Sequence, residues 1–118
     1  MERGNITINR NGVIITGNVR MADYEIAELF GVTLSAVNSN IKLIYKIGAI
    51  QKDETYQYIR LENGNRADTY NMEVIIALAF LLKSLPAKAF REWIIRKAVK
   101  PVQPYTHIIL GIKDSPQN

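Results

Sequence analysis

The chain has 118 residues, of which 47% are hydrophobic and 22% charged, and its formal net charge is +4. This length and balance are typical of one globular domain with a buried core, and they exclude a multi-domain protein. The absence of cysteine and the single histidine exclude disulfides, thiol nucleophiles and metal centres built from those residues.

The first predicted element is a β-hairpin over residues 5–16. β-branched side chains lie on both sides of Asn11 and Gly12, and an Asn-Gly pair favours the positive φ angles of a two-residue hairpin turn. Residues 1–7 lack the apolar run of a secretory signal. We therefore expect a hairpin here and a cytoplasmic protein.

Apolar residues then recur at three- and four-residue intervals, which predicts two helices separated at Gly31. Counted from Asp23, the fifth, ninth and fifteenth residues are Ala27, Gly31 and Val37. A helix-turn-helix needs a small residue where its helices cross, a residue that tolerates a left-handed backbone in the turn, and a branched apolar residue between the helices. The spacing therefore predicts a helix-turn-helix.

The second of these helices places Val37, Ile41 and Ile44 on one side, because residues three or four apart share a face. In a helix-turn-helix the opposite side enters the major groove of DNA. The candidate contact residues on or beside that side are Ser35, Asn38, Ser39, Lys42 and Lys46. Thr33, at the N-cap position, is a further candidate that can bond a phosphate. Asn38 can pair with adenine, but no arginine is present to pair with guanine, so we expect modest direct readout of sequence.

A second hairpin is predicted after Gly48, with Tyr56 and Tyr58 in its first strand, a turn at Asn63 and Gly64, and a return strand over residues 66–70. A hairpin in this position corresponds to the wing of a winged helix. Arg60 and Arg66, near the two ends of the turn, are the candidates for contact with the DNA backbone.

Two helices are predicted next, from residue 71 to about residue 82 and from residue 87 to about residue 100. Ser84 is a candidate cap, and Pro86 fits the first turn of the last helix. The longest apolar run, residues 74–82, is about half as long as a membrane-spanning helix, so we expect no membrane association. We predict one domain over residues 1–104, ended by Pro101 and Pro104, and a tail over residues 105–118 that can add one strand.

Positive charge is concentrated near the last helix. Residues 81–100 sum to +5 and the rest of the chain to −1. This concentration fits either a phosphate-facing surface or an ordinary solvated helix face. Phe90 and Trp93 are expected in the core, which would turn Arg91 toward the surface.

These pieces, in this order, resemble the RhuM-like family of bacterial DNA-binding proteins and, more distantly, phage antirepressor N-terminal modules, over roughly residues 19–99. The segments that carry the resemblance are Val-Arg-Met-Ala at 19–22, Ile-Ala-Glu-Leu-Phe-Gly-Val at 26–32, the second helix at 37–41, Gly-Ala-Ile at 48–50, the β segment at 55–66, Tyr-Asn-Met-Glu at 70–73 and Phe-Arg-Glu-Trp at 90–93. The resemblance implies a strand before the helix pair and a DNA-binding role, and it brings no catalytic residue.

The chain departs from the family pattern at two places. Ala22 stands where a capping threonine is usual, so either Asp23 caps the first helix or its first turn frays. Residues 38–40 are Asn-Ser-Asn where arginine and histidine are frequent, so the family's sequence preference does not transfer.

We therefore predict an α+β, winged helix-turn-helix-like domain that binds double-stranded DNA as a homodimer and acts as a small bacterial or phage-derived transcriptional regulator. The sequence contains no nucleophile with a base, no metal cluster and no phosphate loop, so we predict neither an enzyme nor a cofactor or metal. The carboxylates around the second hairpin lack the spacing of a cation-binding loop; they are Asp53, Glu54, Glu62 and Asp68.

The alternative is a protein-interaction module, antirepressor- or antitoxin-like, that uses the same scaffold to bind a protein partner. It is favoured by the arginine-free second helix and by Leu43, an apolar residue on its outward side.

Overall fold

The computed structural model describes residues 2–99, and within them the chain forms a mixed α+β domain with five helices and two antiparallel sheets. The strands are β1 (Asn5–Asn9), β2 (Gly12–Thr16), β3 (Arg20–Ala22), β4 (Tyr56–Arg60) and β5 (Arg66–Asn71). The helices are α1 (Asp23–Phe30), α2 (Leu34–Lys46), α3 (Lys52–Thr55), α4 (Met72–Leu81) and α5 (Leu85–Ala98). The α+β class is confirmed, whereas the predicted tail and the two prolines before it lie outside the described residues.

The first hairpin is present, but its turn lies one residue earlier than predicted. Asn9 pairs with Gly12, so Arg10 and Asn11 form the loop, and Gly12 begins β2 with a φ of 132°. The side-chain oxygen of Asn9 accepts a hydrogen bond from the backbone N–H of Asn11 at 2.8 Å. This local bond stabilises the turn one residue before the Asn-Gly pair.

The chain turns between α1 and α2 at Gly31, as predicted. Gly31 has φ 64° and ψ 41°, the left-handed conformation that a glycine adopts without a Cβ penalty. The N–H of Val32 donates to the carbonyl of Ala27 at 3.0 Å, and that of Gly31 to the carbonyl of Glu28 at 3.3 Å, which is a Schellman ending. Ala27 and Val37 are both buried in the core.

Ala22 is the N-cap of α1, so neither expectation for this helix start is correct. The Ala22 side chain has no atom that can accept a hydrogen bond from the first turn. A side chain of the first turn instead bonds back to the Ala22 backbone. The carboxylate of Glu25 accepts a hydrogen bond from the backbone N–H of Ala22 at 2.8 Å. This is the reciprocal half of a capping box, and it satisfies the N–H that precedes the helix.

β3 joins the start of α1 to the second hairpin. It pairs antiparallel with β5, with Arg20 opposite Asn71 and Ala22 opposite Thr69, so the three-stranded sheet has the order β3–β5–β4. The family resemblance implied this strand, but no local pattern identified its partner. The short helix α3 was not predicted.

The last two helices are confirmed with shifted ends. Asn71 caps α4 through its side-chain oxygen. The hydroxyl of Ser84 accepts from the N–H of Ala87 at 3.2 Å and donates to the carbonyl of Phe30 at 2.6 Å, which joins the start of α5 to the end of α1. Within the described residues, no helix is both long and apolar enough to cross a lipid bilayer.

The prediction that Phe90 lies in the core is confirmed, Trp93 is only partly buried against the core, and the prediction for Arg91 is wrong. Phe90 is fully buried against Phe30, and half-buried Trp93 stacks on it with 6.0 Å between ring centres. Arg91 does not turn to the surface, because its Nη1 donates to the carbonyls of Ala79 at 2.7 Å and Leu82 at 2.8 Å. A guanidinium here satisfies carbonyls that the end of α4 leaves unpaired.

Candidate nucleic-acid interface

The outward side of α2 carries most of the predicted contact residues. Val37, Ile41 and Ile44 are buried, so the opposite side of the helix faces solvent. The exposed predicted residues are Thr33, Ser35, Ser39, Lys42 and Lys46. Thr33 is the N-cap, as predicted, and its Oγ1 accepts from the N–H of Ala36 at 3.1 Å. Asn38 differs from these residues because it is half-buried on the flank of the helix.

The β4–β5 hairpin presents an aromatic and basic face. Residues directly opposite in an antiparallel pair, and residues two apart along a strand, point to the same side of a sheet. The pairs on this face are Tyr56 with Tyr70, Tyr58 with Asp68, and Arg60 with Arg66. Both arginines are exposed; Arg66 lies 5.8 Å from the ring centre of Tyr58, and Nη1 of Arg60 donates to the carbonyl of Gly64 at 3.2 Å.

Three tyrosine rings connect this face to α2. Tyr45 of α2 lies 6.4 Å from Tyr70, which lies 6.0 Å from Tyr56. Burial, assisted by the nearby Asp68, raises the pKa of Tyr70 to about 12, and burial also raises the pKa of Tyr45. The hydroxyl of Tyr56 donates to Asp68 at 2.5 Å, a bond that raises the pKa of Tyr56. Since Tyr70 is buried, these contacts show that the hairpin packs against α2. We call the outward side of α2 and the hairpin face together the α2–hairpin face.

The short helix α3 is held beside α2 by a chain of partly buried hydrogen bonds. The hydroxyl of Thr55, whose residue is 1% exposed, donates to the carbonyl of Gln51 at 2.9 Å. The hydroxyl of Tyr45 lies 2.8 Å from the same oxygen and must be the donor there, since Thr55 has one proton to give. Nη1 of Arg20 donates to the carbonyl of Thr55 at 3.1 Å, which ties α3 to β3 as well.

A hollow of about 430 Å³ lies where α2, α3 and β5 meet. The residues that line it are Asn38, Ile41, Lys42, Tyr45, Lys52 and Tyr70. Lys52 was missing from the predicted contact residues, because it falls between two predicted elements. Its Nζ lies 5.2 Å from the ring centre of Tyr56, a cation–π distance that keeps the ammonium close to the α2–hairpin face.

The cations of the α2–hairpin face have no acidic partners within the described residues. They are Lys42, Lys46, Lys52, Arg60 and Arg66, and the two salt bridges that residues 2–99 form both involve Arg3 instead. Of the four carboxylates around the hairpin, Glu62 binds Arg3 and Asp68 accepts from Tyr56, while Asp53 and Glu54 are exposed on α3. Over the same residues, no three acidic or histidine side chains lie close enough together to hold a metal ion.

Arg3 joins the loop of the second hairpin to α1. Its five N–H donors are all used: Nη1 donates to Glu25 at 2.7 Å and to the carbonyl of Arg20 at 2.8 Å, Nη2 to Glu25 at 3.0 Å and Glu62 at 2.6 Å, and Nε to Glu62 at 3.0 Å. The bonds from Arg3 lower the pKa of Glu62 to about 2. Partial burial of Glu25 opposes ionisation, but the bonds from Arg3 and the Ala22 N–H outweigh it and lower that pKa too. We call this group the Arg3 clamp.

Comparison with known proteins gave no match: no family model, no curated protein and no solved structure matches this chain. The resemblance to RhuM-like proteins therefore stays a prediction from the sequence.

Proposed function

We propose that this protein binds double-stranded DNA as a winged helix-turn-helix, with α2 in the major groove and the β4–β5 hairpin on the flanking backbone. The observation that supports this most directly is the packing of the hairpin beside α2. Tyrosine rings join the two at 6.4 and 6.0 Å, and the hollow next to them places Lys42 of α2 near Lys52 and Tyr70.

The chemistry of this face suits a duplex. Ser35 and Ser39 on α2 can hydrogen-bond to base edges, while Lys42 and Lys46 can contact phosphates. The resulting affinity is mostly electrostatic, because no arginine on α2 is available to pair with guanine. One helix of this kind covers a half-site, so we propose that a homodimer binds two half-sites about one helical turn apart and regulates transcription there.

Fluorescence anisotropy with a labelled random-sequence duplex tests this proposal, with salt varied from 50 to 300 mM. We expect log K to fall linearly with log salt, with a slope set by the number of phosphate contacts. Selection from a random duplex library would then give an enriched half-site repeated with two-fold symmetry. The absence of binding to any duplex at 50 mM salt would overturn the proposal.

A protein-interaction role is the second candidate, and one observation favours it. Leu43 and Ile47, one turn apart near the end of α2, are 43% and 65% exposed. Exposed apolar residues on a helix can anchor a protein partner. A partner retained after nuclease treatment and lost in Leu43→Ser/Ile47→Ser would support this role, whereas an enriched DNA sequence would support the first.

A further inference from the structure

We infer that the hollow between α2, α3 and β5 binds one phosphate group, with Asn38, Lys42 and Lys52 as its ligands. The inference builds on the proposed function, because the phosphate that the α2–hairpin face would meet is one of the DNA backbone. It goes further in assigning Lys52 to the interface and in giving Asn38 a role other than the reading of a base.

The lining of the hollow favours an anion. Two of its six residues are lysines, one is an asparagine, and none is acidic. An asparagine amide supplies two N–H donors and each lysine ammonium three. Since Lys42 and Lys52 form no salt bridge within residues 2–99, their charges are available to a ligand.

The rest of the lining restricts where a ligand can sit. The hydroxyl of Tyr45 donates to Thr55, and Tyr70 is only 8% exposed with a raised pKa, so these rings form a neutral wall. Ile41 is buried and closes the hollow on the α2 side. The Asn38 amide and the two lysines line the same hollow and supply N–H donors for a ligand there.

Hydrogen bonds within and around α3, together with a cation–π contact, restrict the position of Lys52. The bonds of Thr55 with Gln51, Tyr45 and Arg20 hold α3 against α2 and β3. The Lys52 ammonium is further restrained over the Tyr56 ring. A cation held in place before binding loses less conformational entropy on contact with a phosphate than a free surface lysine does.

Asn38 contrasts with the serines of the same helix. Ser35 and Ser39 are exposed on the outward side of α2, whereas Asn38 is half-buried and lines the hollow. A side chain in that position contacts the backbone at the edge of the groove, while base edges lie beneath the outward side. We therefore assign Asn38 to phosphate positioning and leave sequence preference to Ser35 and Ser39.

The experiment compares Asn38→Ala, Lys52→Ala and Ser39→Ala with Lys88→Ala, which removes an exposed lysine of α5. Each variant is titrated with duplex DNA over a range of salt and is passed through random-library selection. Thermal unfolding of each variant checks that the fold is kept. In Lys52→Ala the salt slope should fall by about one unit, and in Lys88→Ala it should stay unchanged. Asn38→Ala should lose several-fold in affinity on all sequences and select the same sequence as the wild type.

Two results would overturn the inference while leaving DNA binding intact. One is a Lys52→Ala slope equal to that of Lys88→Ala. The other is a changed base preference in Asn38→Ala with Ser39→Ala unchanged. Asn38→Asp provides a second check, since a carboxylate in the hollow would repel phosphate and should weaken binding more than alanine does.

Inorganic phosphate separates this inference from the proposed function. We expect the side-chain amide signals of Asn38 to shift on phosphate addition in the wild type and not in Lys42→Ala/Lys52→Ala. If duplex binding fails but this shift is seen, the phosphate site stands and its source is not DNA. If the wild type shows neither duplex binding nor a shift of the Asn38 amide signals, the inference is wrong.

Discussion

The α2–hairpin face and helix α5 are both basic, but their cations are used differently. On the α2–hairpin face five cations have no acidic partner within residues 2–99. On α5, Arg91 binds the carbonyls at the end of α4, and Nζ of Lys97 lies 5.8 Å from the ring centre of Trp93. The segment around α5, which has the larger net positive charge in the sequence, is thus the one whose cations are partly used inside the fold.

This difference shows that a count of charges along a chain does not locate a binding surface. Residues 81–100 sum to +5, a concentration that fitted either a phosphate-facing surface or an ordinary solvated helix face. The five cations of the α2–hairpin face lie within residues 42–66, but Asp53, Glu54 and Glu62 lie among them, so this stretch sums to only +2 and does not stand out in the sequence. The contrast leads to four predictions, in order of expected size.

The largest effect is expected for Arg91→Ala, which should lower the free energy of unfolding by about 3 kcal/mol. The substitution removes two charged hydrogen bonds and leaves the carbonyls of Ala79 and Leu82 unpaired. Urea denaturation measures the loss, and Arg96→Ala, an exposed cation of the same helix, is the matched control with a change below about 0.5 kcal/mol. Equal effects of the two substitutions would remove the contrast between structural and free cations.

The second effect concerns binding rather than stability. Lys42→Ala/Lys46→Ala should weaken duplex binding roughly 50-fold at 0.1 M salt and lower the salt slope by about two units. The paired control, Lys88→Ala/Lys97→Ala, removes the same charge from α5 and should change affinity less than about twofold. Anisotropy titrations measure both; a larger loss in the α5 pair would move the interface to α5.

The third effect concerns Arg3, a cation next to the second hairpin that we expect to stabilise the fold. Arg3→Gln should lower the free energy of unfolding at pH 7 by about 1.5 kcal/mol. The substitution breaks the hydrogen bonds from the Arg3 guanidinium to the carboxylate of Glu25, and the Arg3 side chain is only 12% exposed to solvent.

The pH dependence of this loss has a defined direction. Both carboxyl pKa values are lowered in the folded protein, that of Glu62 to about 2. The Arg3 clamp therefore stabilises fully above the unfolded value of about 4.3, and its contribution disappears as pH falls toward 2. Urea titrations of wild type and Arg3→Gln at pH 7, 4 and 2.5 should show a shrinking difference. A difference that stays constant would contradict the assignment of the clamp.

The smallest effect is expected in the turn between α1 and α2. Gly31→Ala should cost about 1 kcal/mol, because φ is 64° and an alanine there adopts a disfavoured left-handed backbone. The added Cβ would meet only the side chain of Pro86, at an ordinary 3.9 Å, so the cost is one of backbone conformation. Gly31→Asn should cost less, since asparagine tolerates this region, and equal losses for both variants would indicate a steric cause instead.

Much of the fold follows from local sequence patterns. Hydrophobic periodicity located α1, α2, α4 and α5, and the conformational freedom of Gly31 identified the turn between the first two helices. Turn residues located both hairpins, with an error of one residue in the first. These features depend on contacts within a few residues, which is the range that a local pattern describes.

The features that were missed depend on distant partners. β3 pairs with β5 across some fifty residues, and Arg91 reaches carbonyls on a different helix. Lys52 lies on a four-residue helix that is held by the buried hydroxyl of Thr55, and no periodicity is detectable over so short a span. The predicted contact residues lie on α2, at its N-cap and on the second hairpin, but the contrast between Asn38 and Ser39 depends on the hollow beside α2.

The arrangement of aromatic residues gives the molecule two separate optical reporters. The only tryptophan in the chain, Trp93, stacks on Phe90 in α5, whereas Tyr45, Tyr56, Tyr58 and Tyr70 belong to the α2–hairpin face. Indole emission therefore monitors the side built by α4 and α5. Phenol absorbance, to which Tyr24 and Tyr105 also contribute, monitors mainly the other side. Loss of one signal before the other during denaturation would reveal which side of the domain opens first.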